Sequence, residues 1–412
     1  MKFLKQYAGL RRELYILFWG RVVTNMGALI WPLLTLILKN KMGYTAGQSA
    51  NLLLVAGALL LPSTLLGGRL ADRFDKRKII IVCDLITVAG YILCAFLPLG
   101  PLAIALFCMS AVFAQLEWPS YDALVADLSS PADRERAYSL NYLGANLGMV
   151  LAPALGGFLF ENHLPLAFLI SGIATFSSTV LIYFFVRDTT AVRTDNALDD
   201  YETAREEVSI REIFTSSPVL LLFVLCAGIN AAVYMVSLSF LMPLHVESLF
   251  GADGAVLFGL LSSTNALVVI LGTPLCTTLL SGMRDVAKLP LGMALETTGF
   301  LFFVLAQNRL PMYYTAIVIF TLGEVLTTLG KQPYITRRVP ASHRGRVSSL
   351  NTVAGMCLQG LCLWAAGFFT DHTGLYLVWL ILVVSGAADV LLMLWMRRLD
   401  KQQFPLFYHK QH

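Results

Sequence analysis

The sequence predicts an all-α integral membrane protein of twelve transmembrane helices in two six-helix pseudo-repeats, and three observations carry that prediction. The first is composition. Of 412 residues 57% are hydrophobic and only 14% charged, against roughly 25% charged in soluble domains. The second is hydropathy: apolar runs of about 20 residues, the length a span requires, recur along the whole chain between short polar clusters. The third is an internal repeat. PADRERAYSLN (131–141) follows the fourth apolar run and PASHRGRVSSLN (340–351) the tenth; allowing one inserted residue, Pro-Ala, Arg-x-Arg and Ser-Leu-Asn recur in order.

Taken in order, the first run, 14–38, is too long for the apolar stretch of a signal peptide and lacks a small-residue cleavage site, so it is a span. Spans at 49–70 and 78–99 flank a charged hairpin. Those at 102–125, 138–160 and 165–186 complete an N-terminal bundle, residues 1–186. The only long connection, 187–217, is read as a solvated cytoplasmic linker, in which Ser209 and Glu212 have the spacing of a capping box. Pro218 opens the second bundle, 218–396, with spans at 218–243, 255–280, 289–306, 312–335, 347–369 and 375–396, followed by a tail, 397–412. An even number of spans puts both termini on one side, where 25 of the 30 Lys and Arg also fall. The positive-inside rule then predicts cytoplasmic termini and a multi-pass protein of the cell membrane.

The net charge of +4 is too small to point to nucleic acid. All seven cysteines lie in apolar segments, where they act as small hydrophobes; neither a disulfide framework nor a metal-binding CxxC spacing is present. H-E-x-x-H, G-x-S-x-G and P-loop patterns are absent, which speaks against an enzyme, and no cofactor is expected. Two parallel repeats instead imply a transporter whose site lies between the halves near mid-membrane, with a small-molecule substrate, protons and the lipid bilayer as partners and a monomer as the working unit.

Between spans two and three the chain reads GGRLADRFDKRK. Gly68, Leu70, Ala71, Asp72, Arg73, Lys76 and Arg77 stand in register with the signature G-x-L-A-D-R-x-G-R-K, and on these residues the whole chain resembles the major facilitator superfamily. One position departs: Asp75 replaces the second glycine, which either makes the tight turn less permissive or leaves Asp75 to be satisfied by local hydrogen bonds. The resemblance implies a gating role for Gly68, Asp72, Arg73, Arg77 and Asp127, with Arg77 pairing with Asp127 at the end of span four and Asp72 facing a helix N-terminus. Such a hairpin is a latch made in one state and broken in the other. In span five Gly144, Gly148, Pro153, Gly156 and Gly157 resemble the glycine-proline motif of the antiporter branch, which implies export by antiport; glycines spaced by four also let helices approach closely.

Ionisable groups in a span are costly and face a cavity or a partner. The superfamily's fold lines its cavity with spans one, four, seven and ten, so the resemblance puts Arg21, Glu117 and Lys331 at its inner end, Arg21 and Lys331 as cavity charges. The repeat sets Glu117-Trp118-Pro119 against Lys331-Gln332-Pro333, and a compensated cluster of Glu117 and Lys331 is expected. Glu324 lies near the middle of span ten with no basic residue at its depth, and Glu324 and Glu117 are the candidate proton-coupling carboxylates. Asp84, Glu296 and Asp389 fall on peripheral spans and are expected to snorkel or pair near the interface. His245 is expected to meet headgroups or water. Asn25, Trp31, Trp118, Tyr121, Asn230, Tyr234 and Gln332 offer an aromatic wall with polar handles for an amphipathic substrate.

The leading expectation is thus a secondary active, proton-coupled exporter of a small amphipathic organic compound, working by alternating access. A proton-coupled importer of a metabolite or peptide-like solute is the alternative within the class, and a non-transporting membrane receptor the alternative outside it.

Overall fold

The computed structural model describes residues 7–130, 133–186, 217–280, 282–339, 344–405 and 408. Among these every regular element is helical. Numbered by span, the helices are α1 (Arg12–Met26), α2 (Ala46–Arg73), α3 (Lys76–Phe96), α4 (Pro101–Asp127), α5 (Arg134–Phe160), α6 (Leu164–Phe185), α7 (Pro218–Met235), α8 (Gly254–Leu279), α9 (Asp285–Ala306), α10 (Leu310–Arg338), α11 (Arg344–Thr373) and α12 (Leu375–Gln403). Proline stands at the first turn of α4, α6, α7 and α10, where its missing N–H costs nothing. The candidate capping residues Ser209 and Glu212 lie outside the described residues.

Two spans differ from the sequence expectation. The first is not one helix: α1 ends at Met26, and the chain continues through a 3-10 turn at Trp31–Leu33 and a π-helical stretch at Ile37–Lys41. Pro32 cannot donate to the carbonyl four residues back, so the α-helical ladder is interrupted there. The seventh runs on past residue 243 through a π-helical stretch, Val236–Leu241, to Phe250. The near-continuous stretch Pro218–Leu279 has 62 residues, about 93 Å of helix at 1.5 Å per residue, far more than one crossing can hold. It is split by Gly251, whose φ of +57° is open to glycine. The return is tight: a Cβ on Gly254 would stand 2.5 Å from the Cα of Glu247.

Contacts divide the chain into two compact units. The first comprises 1–45, 52–195 and 246–270, the second 46–51, 196–245 and 271–412. In the first, Leu10, Leu14 and Leu17 pack with Ile80, Leu124 and Leu140 into a common core. The glycines of α5 lie where its backbone crosses others. Gly148 and Gly156 sit 2.6 Å (virtual Cβ) from the carbonyl oxygens of Val22 and Leu29, and Gly157 lies 2.5 Å from that of Ala255.

In the second unit α9 and α10 form the closest helix pair. The hairpin turns at Gln307, whose φ of +47° is the sole non-glycine positive value among the described residues. Its carbonyl accepts the Tyr313 hydroxyl at 2.8 Å, which fixes the turn. Gly292 and Gly323 face each other, so that a Cβ on Gly323 would lie 2.5 Å from the Gly292 carbonyl oxygen. Close backbone approach of this kind is how helices gain packing energy where lipid offers no hydrophobic contrast.

Replacing Gly323 with Val is expected to cost about 1–3 kcal/mol of stability by overpacking this crossing. Gly68→Ala, inside α2 with open space around the virtual Cβ, should raise it by about 0.5–1 kcal/mol through helix propensity. Unfolding of the purified protein in detergent, followed by intrinsic fluorescence, measures both.

Candidate functional site

Buried polar clusters lie among the apolar helices of both units. In the first, α1 presents Arg21, which is only 3% exposed. Its guanidinium lies 4.1 Å above the Trp118 ring and 4.0 Å from the Tyr121 ring, both on α4. Two aromatic faces stabilise the cation, yet its Nε and Nη2 have no hydrogen-bond partner. Glu117, Asp84 and Asp122 act on it through their charges. Asp84 accepts the Thr179 hydroxyl at 2.8 Å. Tyr121 donates to the Leu17 carbonyl at 2.5 Å, and Asn25 to the Arg21 carbonyl at 2.9 Å.

In the second unit Lys331 of α10 donates to the Asn230 amide oxygen of α7 at 2.5 Å. The amide nitrogen of Asn230 donates onward to Glu296 Oε2 at 2.8 Å, and Thr327 donates to Glu296 Oε1 at 3.0 Å. Asn230 is thus a polar spacer between a cation and an anion. An amide suits that place because its oxygen accepts from the ammonium while its nitrogen donates to the carboxylate. Tyr234, one turn along α7 and stacked on Phe320 at 5.7 Å, donates to Glu324 at 3.2 Å.

Several expectations are corrected. Glu296 does not snorkel: it is 1% exposed and is the acidic centre of the second cluster. Asp84 is likewise buried in the first cluster, and Asp389 is fully buried on α12, where the Cys226 thiol and the charge of Lys331 act on it. His245 is inside rather than at headgroup level, with Nε2 3.1 Å from the Tyr313 hydroxyl and its ring against Trp379 and Tyr376. Within their own units Glu117 lies in the field of Arg21 and Lys331 in that of Glu296; the expected pairing of Glu117 with Lys331 joins the two units and stays an expectation. Of the expected substrate residues, Asn25, Tyr121 and Asn230 are committed to internal hydrogen bonds. Trp118 is 42% exposed and Trp31, stacked on Phe107, 39% exposed. The side chains of Gln332 and Asp72 lie outside the described ones.

In the charged hairpin Asp75, where the signature has glycine, caps α3 by accepting the Lys78 N–H at 3.2 Å. The partner of Asp127 is not Arg77 but Lys76, at 2.6 Å. The two bases are adjacent at the start of α3 and so point about 100° apart around the helix. Lys76 reaches the end of α4 while Arg77 bonds the Tyr183 carbonyl of α6. Close packing in this signature falls on Gly67, which abuts the Leu116 backbone, whereas Gly68 is open.

A third cluster gave no sign in the sequence. Arg338, at the end of α10, binds Asp400 of α12 through Nε at 2.6 Å and Nη2 at 2.7 Å, and Asp285 of α9 through Nη1 at 2.9 Å. Tyr334 and Tyr408 add hydroxyls to Asp400 at 3.0 and 2.7 Å. Burial alone would lower the Arg338 pKa, but the bonds from Asp400 and the charge of Asp285 outweigh it and raise it, so the guanidinium stays charged. The partners are 53 and 62 positions away, a separation that carries no periodic signal.

Known proteins match the chain nearly end to end. A family model described as Major Facilitator Superfamily matches residues 17–361. A "Na(+), Li(+), K(+)/H(+) antiporter" of Planococcus maritimus is 22% identical over 374 residues, 83% of this chain and 86% of its own. "Multidrug resistance protein MdtH" of Aeromonas hydrophila is 25% identical, covering 88% of this chain and 90% of its own. Among solved structures, a POT family transporter in complex with 5-aminolevulinic acid aligns with TM-score 0.77 at 14% identity over 96% of this chain and 98% of that one. A D-xylose-proton symporter aligns with TM-score 0.72 at 14% identity over 92% and 96%. At these identities the structural likeness is one of fold.

Two measurements test the cluster energetics. Arg338→Met strands two buried carboxylates and should cost about 3–5 kcal/mol, whereas Lys76→Met, which breaks a half-exposed pair, should cost about 0–1 kcal/mol. Lys331→Met and Glu296→Leu should each destabilise alone, and the double variant should recover most of the loss, because the cost lies in the charge left unpaired. A double-mutant cycle of unfolding in detergent reads the coupling.

Proposed function

The chain belongs to the Major Facilitator Superfamily, and from that premise we propose that it exports a small amphipathic organic compound in exchange for protons by alternating access. The observation that carries this reading is the presence of carboxylates within the spans beside partners other than water: Glu324 under the Tyr234 hydroxyl and Glu117 in the field of Arg21. A carboxyl group in such a place alternates between a charged and a neutral form, and the local arrangement differs between the two. Deprotonated Glu324 only accepts, the Tyr234 hydroxyl being one of its donors; once protonated it keeps an accepting oxygen and gains an O–H that needs an acceptor of its own. Proton binding at Glu117 removes one of the three acidic charges, with Asp84 and Asp122, that act on the Arg21 guanidinium, and so strengthens its pull on another anion. Both changes give the proton a grip on which conformation is favoured, which is what coupling demands.

Trp118 and Trp31, exposed aromatic surfaces of the first unit, suit a planar or apolar ligand. The glycine-rich face of α5 and the antiporter and multidrug names of relatives support export; the symporter names among structural neighbours support the alternative, import with protons. The protein acts in the cell membrane with both termini in the cytoplasm, as a monomer.

Proteoliposomes with an imposed pH gradient, acidic inside, test the proposal with ethidium as probe. Gradient-driven accumulation is expected for the wild type, reduced roughly tenfold or more, about 1.4 kcal/mol, in Glu324→Gln and in Glu117→Gln. Full transport by both variants would remove these residues from the coupling role. Solute moving with protons rather than against them identifies an importer, and binding without movement identifies a receptor. Sodium or potassium in place of ethidium tests the exchange printed in the name of the Planococcus relative.

A further inference from the structure

The sequence interleaves acids and bases at one end of the second unit, Arg284-Asp285 at the start of α9 and Arg397-Arg398-Leu399-Asp400-Lys401 near the end of α12. Folding separates them by sign. Asp285 and Asp400 turn inward onto Arg338, and both are buried. Arg284, Arg397, Arg398 and Lys401 are left exposed, and among the described residues none of the four enters an ion pair. Arg284 is held in place by Tyr408, donating to its carbonyl at 3.0 Å with the guanidinium 4.8 Å from its ring.

These bases surround a depression of about 330 Å³, walled by all four together with Leu394 and Tyr408. A second depression of about 970 Å³ shares Arg284, Leu394 and Arg397 with the first and continues along α8, α9 and α12. Its walls are apolar, among them Leu280, Pro290, Leu291, Ala294 and Val390. A basic pocket thus opens directly into an apolar groove running along membrane-spanning helices.

We propose that this end of the second unit binds an anionic phospholipid, its headgroup phosphate held by Arg284, Arg397, Arg398 and Lys401 and an acyl chain lying in the groove of Leu291, Ala294 and Val390. The chemistry matches part by part. Guanidinium groups recognise phosphate oxygens through paired N–H donors. Basic residues at the membrane surface attract anionic lipid specifically. A free phosphate ion would use only the basic pocket, whereas a lipid fills both depressions, and their continuity selects the lipid.

Native mass spectrometry of the full-length protein in detergent, titrated with dioleoylphosphatidylglycerol or with dioleoylphosphatidylcholine, tests the assignment. The anionic lipid is expected to bind at least about tenfold more tightly than the zwitterionic one, and millimolar inorganic phosphate to leave that binding intact. The exposed substitutions Arg397→Gln and Arg398→Gln, combined, should abolish the preference, and Ala294→Trp, which fills the groove, should weaken retention of the anionic lipid. Arg69→Gln combined with Arg73→Gln, the same charge change on the α2–α3 hairpin, should leave the preference in place. Equal binding of the two lipids, an unchanged preference in the Arg397/Arg398 variant, or displacement of the lipid by phosphate would each overturn the proposal.

Discussion

A charge placed in hydrocarbon has no water to solvate it, so each ionisable side chain of the helices must find its compensation from the protein itself. The arrangement of the polar residues follows from that constraint. Lys331, Asn230 and Glu296 come from three different helices and satisfy one another through an amide. Arg21 meets two aromatic faces, which lower the cost of burying a cation without neutralising it. Arg338 draws two carboxylates from distant parts of the chain and thereby ties together the ends of α9, α10 and α12. Breaking any of these arrangements leaves a buried charge, which is why they define a unique packing more than they add net stability.

The same solvent also decides how the helices touch. Lipid is as apolar as leucine, so helices gain little by burying apolar area and gain by approaching closely. Glycines do this at α5 against α1 and at α9 against α10. Where two backbones meet at such distances, the side chains beside the contact are held rigidly. Glu296 and Thr327 lie within one turn of the Gly292–Gly323 crossing, so the packing that joins α9 to α10 also places the anion and its hydroxyl donor. Scaffold and polar cluster are in this region the same object.

Function draws on the imperfect parts of that compensation. Fully paired groups such as Arg338 with Asp285 and Asp400 anchor the fold. Arg21, with two nitrogens that make no hydrogen bond, is held less completely and can respond when a proton or a ligand arrives. The outward-facing bases at the end of α12 are the surface counterpart: the acids beside them are consumed by Arg338, and what remains is a field of one sign beside an apolar groove.

The sequence by itself determined the all-helical membrane architecture, because span length and the exclusion of charge are local properties that the bilayer reads along the chain. It also pointed to the close packing along the glycines of α5, whose spacing of four is a local property, whereas the structure showed that Asp75 caps α3. Only the tertiary structure decided that Glu296 is central, that Asp127 takes Lys76, that His245 is buried among aromatics, and that Asp285 and Asp400 share Arg338. Each of these depends on the rotation of one helix about its axis relative to another. Where nearly every face of a helix is apolar, periodicity does not reveal that rotation, and a carboxylate on a span reads alike whether it turns toward lipid, a neighbouring helix or a ligand.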